Sequence, residues 1–132
     1  MCVFCKIISG EYSSSKIYED DKVLAILDLS QATLGHTLVM PKEHYENIYD
    51  LDTETAKHLF SIVQKISKHY KEAISNLKGI NLLNNNEEVA GQTVMHYHMH
   101  IIPRYSDDDL VNMQFTEHKL DLKDLSEKLK LQ

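Results

Sequence analysis

Cysteine is scarce in this sequence, because the 132 residues include only Cys2 and Cys5. A disulfide between two cysteines this close together would stabilise the fold little. A Cys-x-x-Cys pair in an intracellular protein is typical of half a metal site or of a redox pair. Long apolar runs are also missing, since no stretch approaches the ~20 residues that cross a bilayer. Residues 1–6 lack the basic and apolar regions of a signal peptide. We therefore expect a cytoplasmic protein with no membrane partner.

Positive charge is in short supply too, with 14 lysines and arginines against 20 aspartates and glutamates. The resulting net charge of −6 argues against a nucleic-acid-binding surface, which needs clustered basic side chains. It leaves room for a small phosphate ligand held by imidazoles and backbone N–H groups. The chain shows no internal repeat, low-complexity tract or linker, so its length predicts a single domain over residues 1–132.

The most informative stretch is His96-Tyr97-His98-Met99-His100-Ile101-Ile102. Histidine recurs there at every second position, which predicts a strand whose three imidazoles share one face. Pro103 is expected to end this strand because it has no N–H for a ladder. Three aligned imidazoles could form a polar strand face or a His-x-His metal site. They could also form a nucleophilic centre, in which one imidazole attacks and its neighbours fix tautomer and charge.

The rest of the chain predicts further strands around one long helix. Apolar side chains recur at helical spacing over residues 52–77, with Asp52 as N-cap and Gly79 as the stop. A short C-terminal helix is marked by Leu122, Leu125 and Leu129. Strands are expected at Lys16–Glu19, Val23–Asp28, His36–Met40 and Ile80–Leu83, the third stopped by Pro41. Strands before and after the long helix predict an α+β fold with an antiparallel sheet.

The histidine stretch has the His-φ-His-φ-His-φ-φ pattern that names the histidine triad (HIT) family. Four more blocks resemble its bacterial Hit-like branch: CVFCKII at 2–8, LAILDLS at 24–30, GHTLVMPKEH at 35–44 and AGQT at 90–93. The tail beyond about residue 106 carries little of the resemblance. The resemblance implies a HIT-like fold, a homodimer, and chemistry at the α-phosphate of a purine nucleotide.

The resemblance also implies roles for single residues of a catalytic site. His98 would be the nucleophile and form a transient nucleotidyl-imidazole that water hydrolyses. His100 would hold a phosphate oxygen or the backbone near the nucleophile, and His36 would relay or position a proton. Asp28 corresponds to the acceptor of the ribose hydroxyls. The other implied nucleotide-binding residues are Asn85, Gly91, Gln92 and Thr93, together with Phe4, Ile7, Ile26 and Leu29 in the walls of the purine pocket.

A structural zinc ion is a further implication of the resemblance. In relatives that begin with Cys-x-x-Cys, the ligands correspond to Cys2, Cys5, His44 and His96, a closed Cys2His2 set. Such a zinc ion would not be required for the chemistry. Spacing alone does not choose His44 over His36, and the alternative is two reduced thiols without a metal.

We therefore expect a hydrolase of purine nucleotide phosphoramidates or related AMP conjugates. Three alternatives stay open: dinucleoside polyphosphate cleavage, nucleotide binding with little turnover, and a metallohydrolase that uses His98 and His100 as ligands. The sequence departs from the resemblance at Glu87, where relatives commonly carry glycine. This change is expected to restrict a conformation with positive φ and to place an acidic side chain near the anionic ligand.

Overall fold

The computed structural model describes residues 2–109 and 114–131. Its five strands are β1 (Lys16–Glu19), β2 (Val23–Leu27), β3 (Thr37–Pro41), β4 (Gly79–Leu83) and β5 (Met99–Arg104). They form one antiparallel sheet in the order β1-β2-β3-β5-β4. The α-helices are α1 (Val3–Ile8), α2 (Thr53–Ala73) and α3 (Leu122–Leu129), and a single 3₁₀ turn spans Glu88–Ala90. The predicted α+β fold is confirmed, and no helix within the described ranges is long and apolar enough to cross a membrane.

Helix α2 covers one face of the sheet. Its buried side chains recur every three or four residues, as predicted, and include Leu59, Val63 and Ile66. They pack on side chains from one face of β2 and β3, and each fully buried aliphatic side chain contributes about 1.5–3 kcal/mol. The predicted N-cap is also confirmed, because an Asp52 carboxylate oxygen accepts the Thr55 N–H at 3.1 Å. This packing anchors the sheet that carries the histidines.

The C-terminal end of α2 differs from the prediction. The helix ends at Ala73, and Ile74 already has an extended backbone with φ −106° and ψ 101°. Leu77 continues the apolar pattern because it is buried from the loop that follows. Gly79 begins β4 and is not the helix stop. The pattern of apolar residues predicted too long a helix, because such a pattern indicates which side chains are buried and a side chain in a loop can also be buried.

The expectation that a proline ends each of two strands is confirmed for Pro41 and is wrong for Pro103. Pro41 is the last residue of β3, and Pro103 pairs with Ile80 within β5. The pairing of β5 with β3 stops at Ile101, and beyond it the Pro103 carbonyl accepts the Thr33 hydroxyl. In an antiparallel strand, the N–H and C=O of one residue point to the same side, so the nitrogen of Pro103 also points toward the β3 side. Because β3 no longer pairs with β5 at that position, the missing N–H of Pro103 removes no hydrogen bond from the ladder.

The opposite face of the sheet carries the histidines. Its apolar residues are Leu24, Ile26, Leu38 and Met40, which α1 covers through Phe4. Regular strand structure begins only at Met99, later than predicted, but the alternation of side chains persists before it. Tyr97 packs into the core beneath α2, while Phe4 contacts the rings of His96 and His98. Helix α1, which the sequence pattern did not predict, therefore lies directly beside the triad.

Candidate active site and metal centre

Four cysteine and histidine side chains converge at the N-terminus of α1. They are Cys2, Cys5, His44 and His96, and their ligand atoms all lie within 4.8 Å of one another. Cys2 is the N-cap of α1, and its Sγ accepts the Cys5 N–H at 3.4 Å. The helix therefore aims both sulfurs at the histidines, and the structure brings together the four residues that the family resemblance assigned to a metal.

The distances in this cluster fit a tetrahedral zinc ion. Cys2 Sγ lies 3.4 Å and Cys5 Sγ 3.6 Å from His96 Nδ1, and the two histidine Nδ1 atoms are 3.1 Å apart. Zn–S bonds of about 2.3 Å and Zn–N bonds of about 2.05 Å place sulfur and nitrogen roughly 3.6 Å apart, and two nitrogens roughly 3.3 Å apart. These three donor pairs already have nearly this spacing, and all four donor atoms lie within 4.8 Å of one another.

The tautomer of His96 also suits a metal ligand. Its Nε2–H donates to the Pro41 carbonyl at 2.7 Å, which leaves the Nδ1 lone pair facing the cysteines. A histidine that ligates through one nitrogen commonly donates from the other to a carbonyl in this way. Burial and the neighbouring Cys2 raise the pKa of the Cys5 thiol. A bound cation would therefore have to displace a thiol proton, which makes metal affinity increase with pH.

His98 is buried, and its ring is held by the backbone of His96. Its Nδ1–H donates to the His96 carbonyl at 2.7 Å, so the lone pair of the ring lies on Nε2. Burial lowers the pKa of His98, which keeps the ring neutral near pH 7. Within residues 2–109 and 114–131, His98 Nε2 makes no hydrogen bond. No side-chain nitrogen or oxygen atom in these ranges is both fully buried and without a hydrogen bond, so the unbonded Nε2 must be accessible from outside. A neutral Nε2 open to a ligand is the requirement for a nucleophilic imidazole.

His36 and His100 form a directed pair beside His98. The Ala32 N–H donates to His36 Nδ1 at 3.2 Å, so the proton of that ring lies on Nε2. This Nε2–H donates to His100 Nδ1 at 2.9 Å, and His100 in turn carries its proton on Nε2. The Asp28 carboxylate lies 3.6 Å from His36 Nε2. A backbone N–H therefore sets the tautomers of both rings and leaves His100 as a hydrogen-bond donor.

The ligand atoms of Asp28, His36 and His100 also lie within 4.8 Å of one another. A metal ion there would need the lone pair of His36 Nε2, which is the nitrogen that carries the proton. If that proton moved to Nδ1, the His36 Nδ1–H and the Ala32 N–H would point at each other, and the hydrogen bond between them would be lost. This trio therefore suits a proton relay better than a metal site.

Comparison with known proteins gives a consistent family. The HIT domain model matches residues 9–107. Protein hit of Bacillus subtilis is 52% identical over 122 residues, which are 92% of this chain and 83% of that protein. The chain belongs to the HIT family. A crystal structure of a HIT family protein from Bacillus anthracis has a TM-score of 0.90 at 49% identity, covering 96% of this chain and 91% of that one.

Relatives with named activities show that the HIT family includes nucleotide hydrolases. Adenosine 5'-monophosphoramidase hnt1 of Schizosaccharomyces pombe is 37% identical over 107 residues, covering 81% of this chain and 77% of that protein. Adenylylsulfatase HINT3 of Arabidopsis thaliana is 43% identical over 109 residues, covering 83% and 55%. The structure of a Zn-bound histidine triad family protein from Mycobacterium smegmatis has a TM-score of 0.79 at 38% identity, covering 88% and 84%.

The predicted nucleotide-binding residues of this HIT chain occupy three different environments. Asp28 lies beside the triad, and one of its oxygens accepts the Ser30 N–H at 2.8 Å. Phe4 is buried against His98, and Ile7 packs in the same cluster. By contrast, Leu29 is 99% exposed and Thr93 is also exposed.

Gln92, which the HIT resemblance places among the nucleotide-binding residues, has a side-chain amide that is hydrogen-bonded within the chain. Its Oε1 accepts the Glu87 N–H at 2.7 Å, and its Nε2 donates to the Glu46 and Val94 carbonyls at 2.6 and 3.1 Å. The side chain is 2% exposed. Gln92 therefore anchors the loop, and a phosphate contact by its side chain would require these bonds to break.

The loop that precedes the triad also contains a polar residue that sequence reasoning missed. Asn84 Nδ2 donates to the His98 carbonyl at 3.0 Å. The family resemblance indicated Asn85, whose Nδ2 instead donates to the Gly91 carbonyl at 3.3 Å. Gly91 itself has φ +98°, so glycine suits that position. The available signal was a run of asparagines directly after an apolar strand, since asparagine side chains commonly hydrogen-bond to backbone groups in turns.

Glu87 has a strained backbone, as its substitution for the usual HIT glycine suggested. With φ 75° and ψ 157°, it is the one non-glycine residue of the described ranges with positive φ, and this region is nearly exclusive to glycine. We expect Glu87→Gly to raise the free energy of unfolding by about 1–3 kcal/mol. Chemical denaturation measures the change. Glu87→Ala removes the charge but keeps Cβ, so an equal gain from both variants would show that charge, not strain, is responsible.

His100 should make the stability of this HIT fold depend on pH. Burial, followed by the neighbouring His98 and His36, lowers the pKa of His100 from 6.5 to about 4. Between these values the unfolded chain binds a proton that the folded chain does not, so the free energy of unfolding falls as pH falls. His100→Asn lacks this penalty and should gain stability relative to the native chain from pH 6.5 to 4. Denaturant titrations at several pH values test this, and a constant difference would contradict it.

Proposed function

We propose that this HIT protein hydrolyses purine nucleotide phosphoramidates at the α-phosphate through a nucleotidyl intermediate on His98. The observation that carries the proposal is the bond from His98 Nδ1–H to the His96 carbonyl. It fixes the tautomer in which Nε2 is the nucleophile, while burial keeps the ring neutral. The comparisons support the class of reaction, because one relative is named an adenosine 5'-monophosphoramidase.

The chemistry divides into two displacements. In the first, His98 Nε2 attacks the α-phosphorus, the P–N bond of the substrate breaks, and the amine leaves with a proton taken from solvent. In the second, water attacks the same phosphorus and releases a proton to solvent, the bond to His98 breaks, and AMP is released. His100, with its proton on Nε2, is the available donor to a phosphoryl oxygen, and Asp28 beside it suits the ribose hydroxyls.

We also propose that Cys2, Cys5, His44 and His96 hold a structural zinc ion. The distances, the tautomer of His96 and the Zn-bound relative support this assignment. A bound zinc would cross-link α1 to the triad segment and has no role in the displacements. The reduced thiols that it requires agree with a cytoplasmic location.

A homodimer is part of the proposal as well. Strand β4 lies at the edge of the sheet and exposes Leu82 and Leu83, so a second copy would cover both backbone and apolar surface. Analytical ultracentrifugation distinguishes this dimer from a monomer.

The competing functions make different predictions about the same site. A metallohydrolase would need His98 among clustered ligands, but neither ligand cluster within the described ranges includes it. Dinucleoside polyphosphate cleavage uses the same nucleophile and differs in the leaving group. Adenylyl sulfate is a third substrate class, since another relative is named an adenylylsulfatase.

The test is release of AMP from adenosine 5'-phosphoramidate, followed by chromatography, with diadenosine tetraphosphate and adenylyl sulfate in parallel. We expect the phosphoramidate to have the highest kcat/KM and turnover to persist after brief chelation while the protein stays folded. Higher kcat/KM for the tetraphosphate would favour the dinucleotide alternative. AMP binding without turnover of any of the three substrates would leave only nucleotide binding.

A further inference from the structure

The hydrogen-bond ladder between β4 and β5 ends just before the nucleophile. Its last pair is Leu83 with His100. If the pairing continued in register, backbone N–H groups after β4 would donate to the carbonyls of residues before His100. Instead, the His98 carbonyl accepts a hydrogen bond from a side chain, Asn84 Nδ2, at 3.0 Å. The amide of Asn84 therefore takes the place of a backbone donor at the nucleophilic residue.

The orientation of this amide is set by a chain of hydrogen bonds. The Ile48 N–H donates to Asn86 at 2.7 Å, so the atom that receives it must be the oxygen, Oδ1. Asn86 then donates from Nδ2 to Asn84 Oδ1 at 2.8 Å. Asn84 is left with its Nδ2 pointing at the His98 carbonyl. A backbone N–H thus fixes which way both amides face, as the Ala32 N–H does for the two histidines.

The Asn84 side chain takes over this bond because the backbone after β4 turns away from β5. Glu87 adopts a positive φ, and its N–H and carbonyl are held by the side-chain oxygen and the backbone N–H of Gln92. Residues 84–91 can therefore leave the sheet and open the site, while Asn84 keeps the His98 carbonyl bonded. Asn84 and Asn86 are both partly buried, which shields these bonds from competition by water.

We infer that Asn84 is a positioning residue for His98, with Asn86 holding Asn84 in the orientation that donates. The ring of His98 is fixed through Nδ1 and its backbone through the carbonyl, so Nε2 keeps one direction of attack. This inference rests on the proposed function, because it concerns the efficiency of the same nucleophile. It predicts a loss in the rate of the first displacement and little change in nucleotide affinity.

The test is Asn84→Asp, which keeps the shape but replaces the donor with an oxygen that repels the His98 carbonyl. We expect kcat for adenosine 5'-phosphoramidate to fall by about 10- to 100-fold, as for a misplaced reacting group, with KM and AMP affinity within about threefold. Asn76→Asp makes the same charge change at an exposed position and serves as the matched control. A structural defect alone would weaken AMP binding and lower the melting temperature without this selective loss in kcat.

A second variant keeps the inference testable if Asn84→Asp does not fold. Asn86→Asp still accepts the Ile48 N–H but cannot donate to Asn84, so we expect a several-fold fall in kcat. Native kcat in both folded variants, or in Asn86→Asp alone if the other fails to fold, would overturn the inference. An inactive native protein would instead refute the proposed function, so the two failures are distinguishable.

Discussion

Replacing His98 with alanine is expected to reduce turnover of adenosine 5'-phosphoramidate by at least about 10⁴-fold, because loss of a covalent nucleophile removes the main reaction path. The ring is buried against Phe4, and truncation would also leave a cavity. His98→Asn is the better variant, since its amide can still donate to the His96 carbonyl but cannot form a stable nucleotidyl adduct. Steady-state release of AMP by both variants measures the effect.

Two controls separate the nucleophile from general damage. His69 is exposed on α2, so His69→Ala should retain native turnover. Acid quenching of the native enzyme with substrate, followed by mass spectrometry, should detect AMP on the peptide that contains residues 96–100. Substantial turnover by His98→Asn, or an adduct on another residue, would exclude the mechanism that we propose.

Removal of zinc is expected to lower the melting temperature by about 10 °C or more. A ligand at 1,000 times its dissociation constant stabilises a fold by about 4 kcal/mol, and 1 kcal/mol corresponds to a few degrees in a domain of this size. The loss should be large here because zinc would join the N-terminus of the chain to the triad segment. Differential scanning calorimetry with and without a chelator, alongside metal analysis, measures it.

The ligand variants should reproduce the effect of the chelator. Cys5→Ser and His44→Ala should melt at lower temperature and gain little from added zinc, while the exposed His69→Ala should behave as the native protein. An unchanged melting temperature, together with no bound metal, would support two reduced thiols instead. If chelation abolished turnover while the melting temperature was unchanged, zinc would have to act in the chemistry.

The sequence predicted the features that depend on local repetition. The alternation from His96 to Ile102 places alternate side chains on opposite sides of the sheet even where strand geometry has not begun, because a period of two follows from extended backbone alone. The spacing in α2 and its Asp52 cap are equally local. The strain at Glu87 was predicted differently, from the family resemblance, because a side chain where that resemblance expects glycine is a sign of backbone strain.

Features that depend on contacts between distant parts of the chain could not be predicted from local sequence patterns. Helix α1 is six residues long, too short for a clear periodic signal, and its cap is a cysteine. The extent of β5 through Pro103 depends on where β3 stops. Spacing could not choose between His36 and His44 as the metal ligand. The structure separates them, placing His44 beside the cysteines and His36 beside His100.

By itself, the sequence determined the α+β class, the long helix, and the alternate placement of three histidines, because these follow from backbone geometry and the burial of apolar side chains. The tertiary structure alone decided the state of each polar group. His36 received its tautomer from the Ala32 N–H, and Asn84 its orientation from the Ile48 N–H through Asn86. The direction of a hydrogen bond is set by the donor at the other end, and folding determines which donor that is.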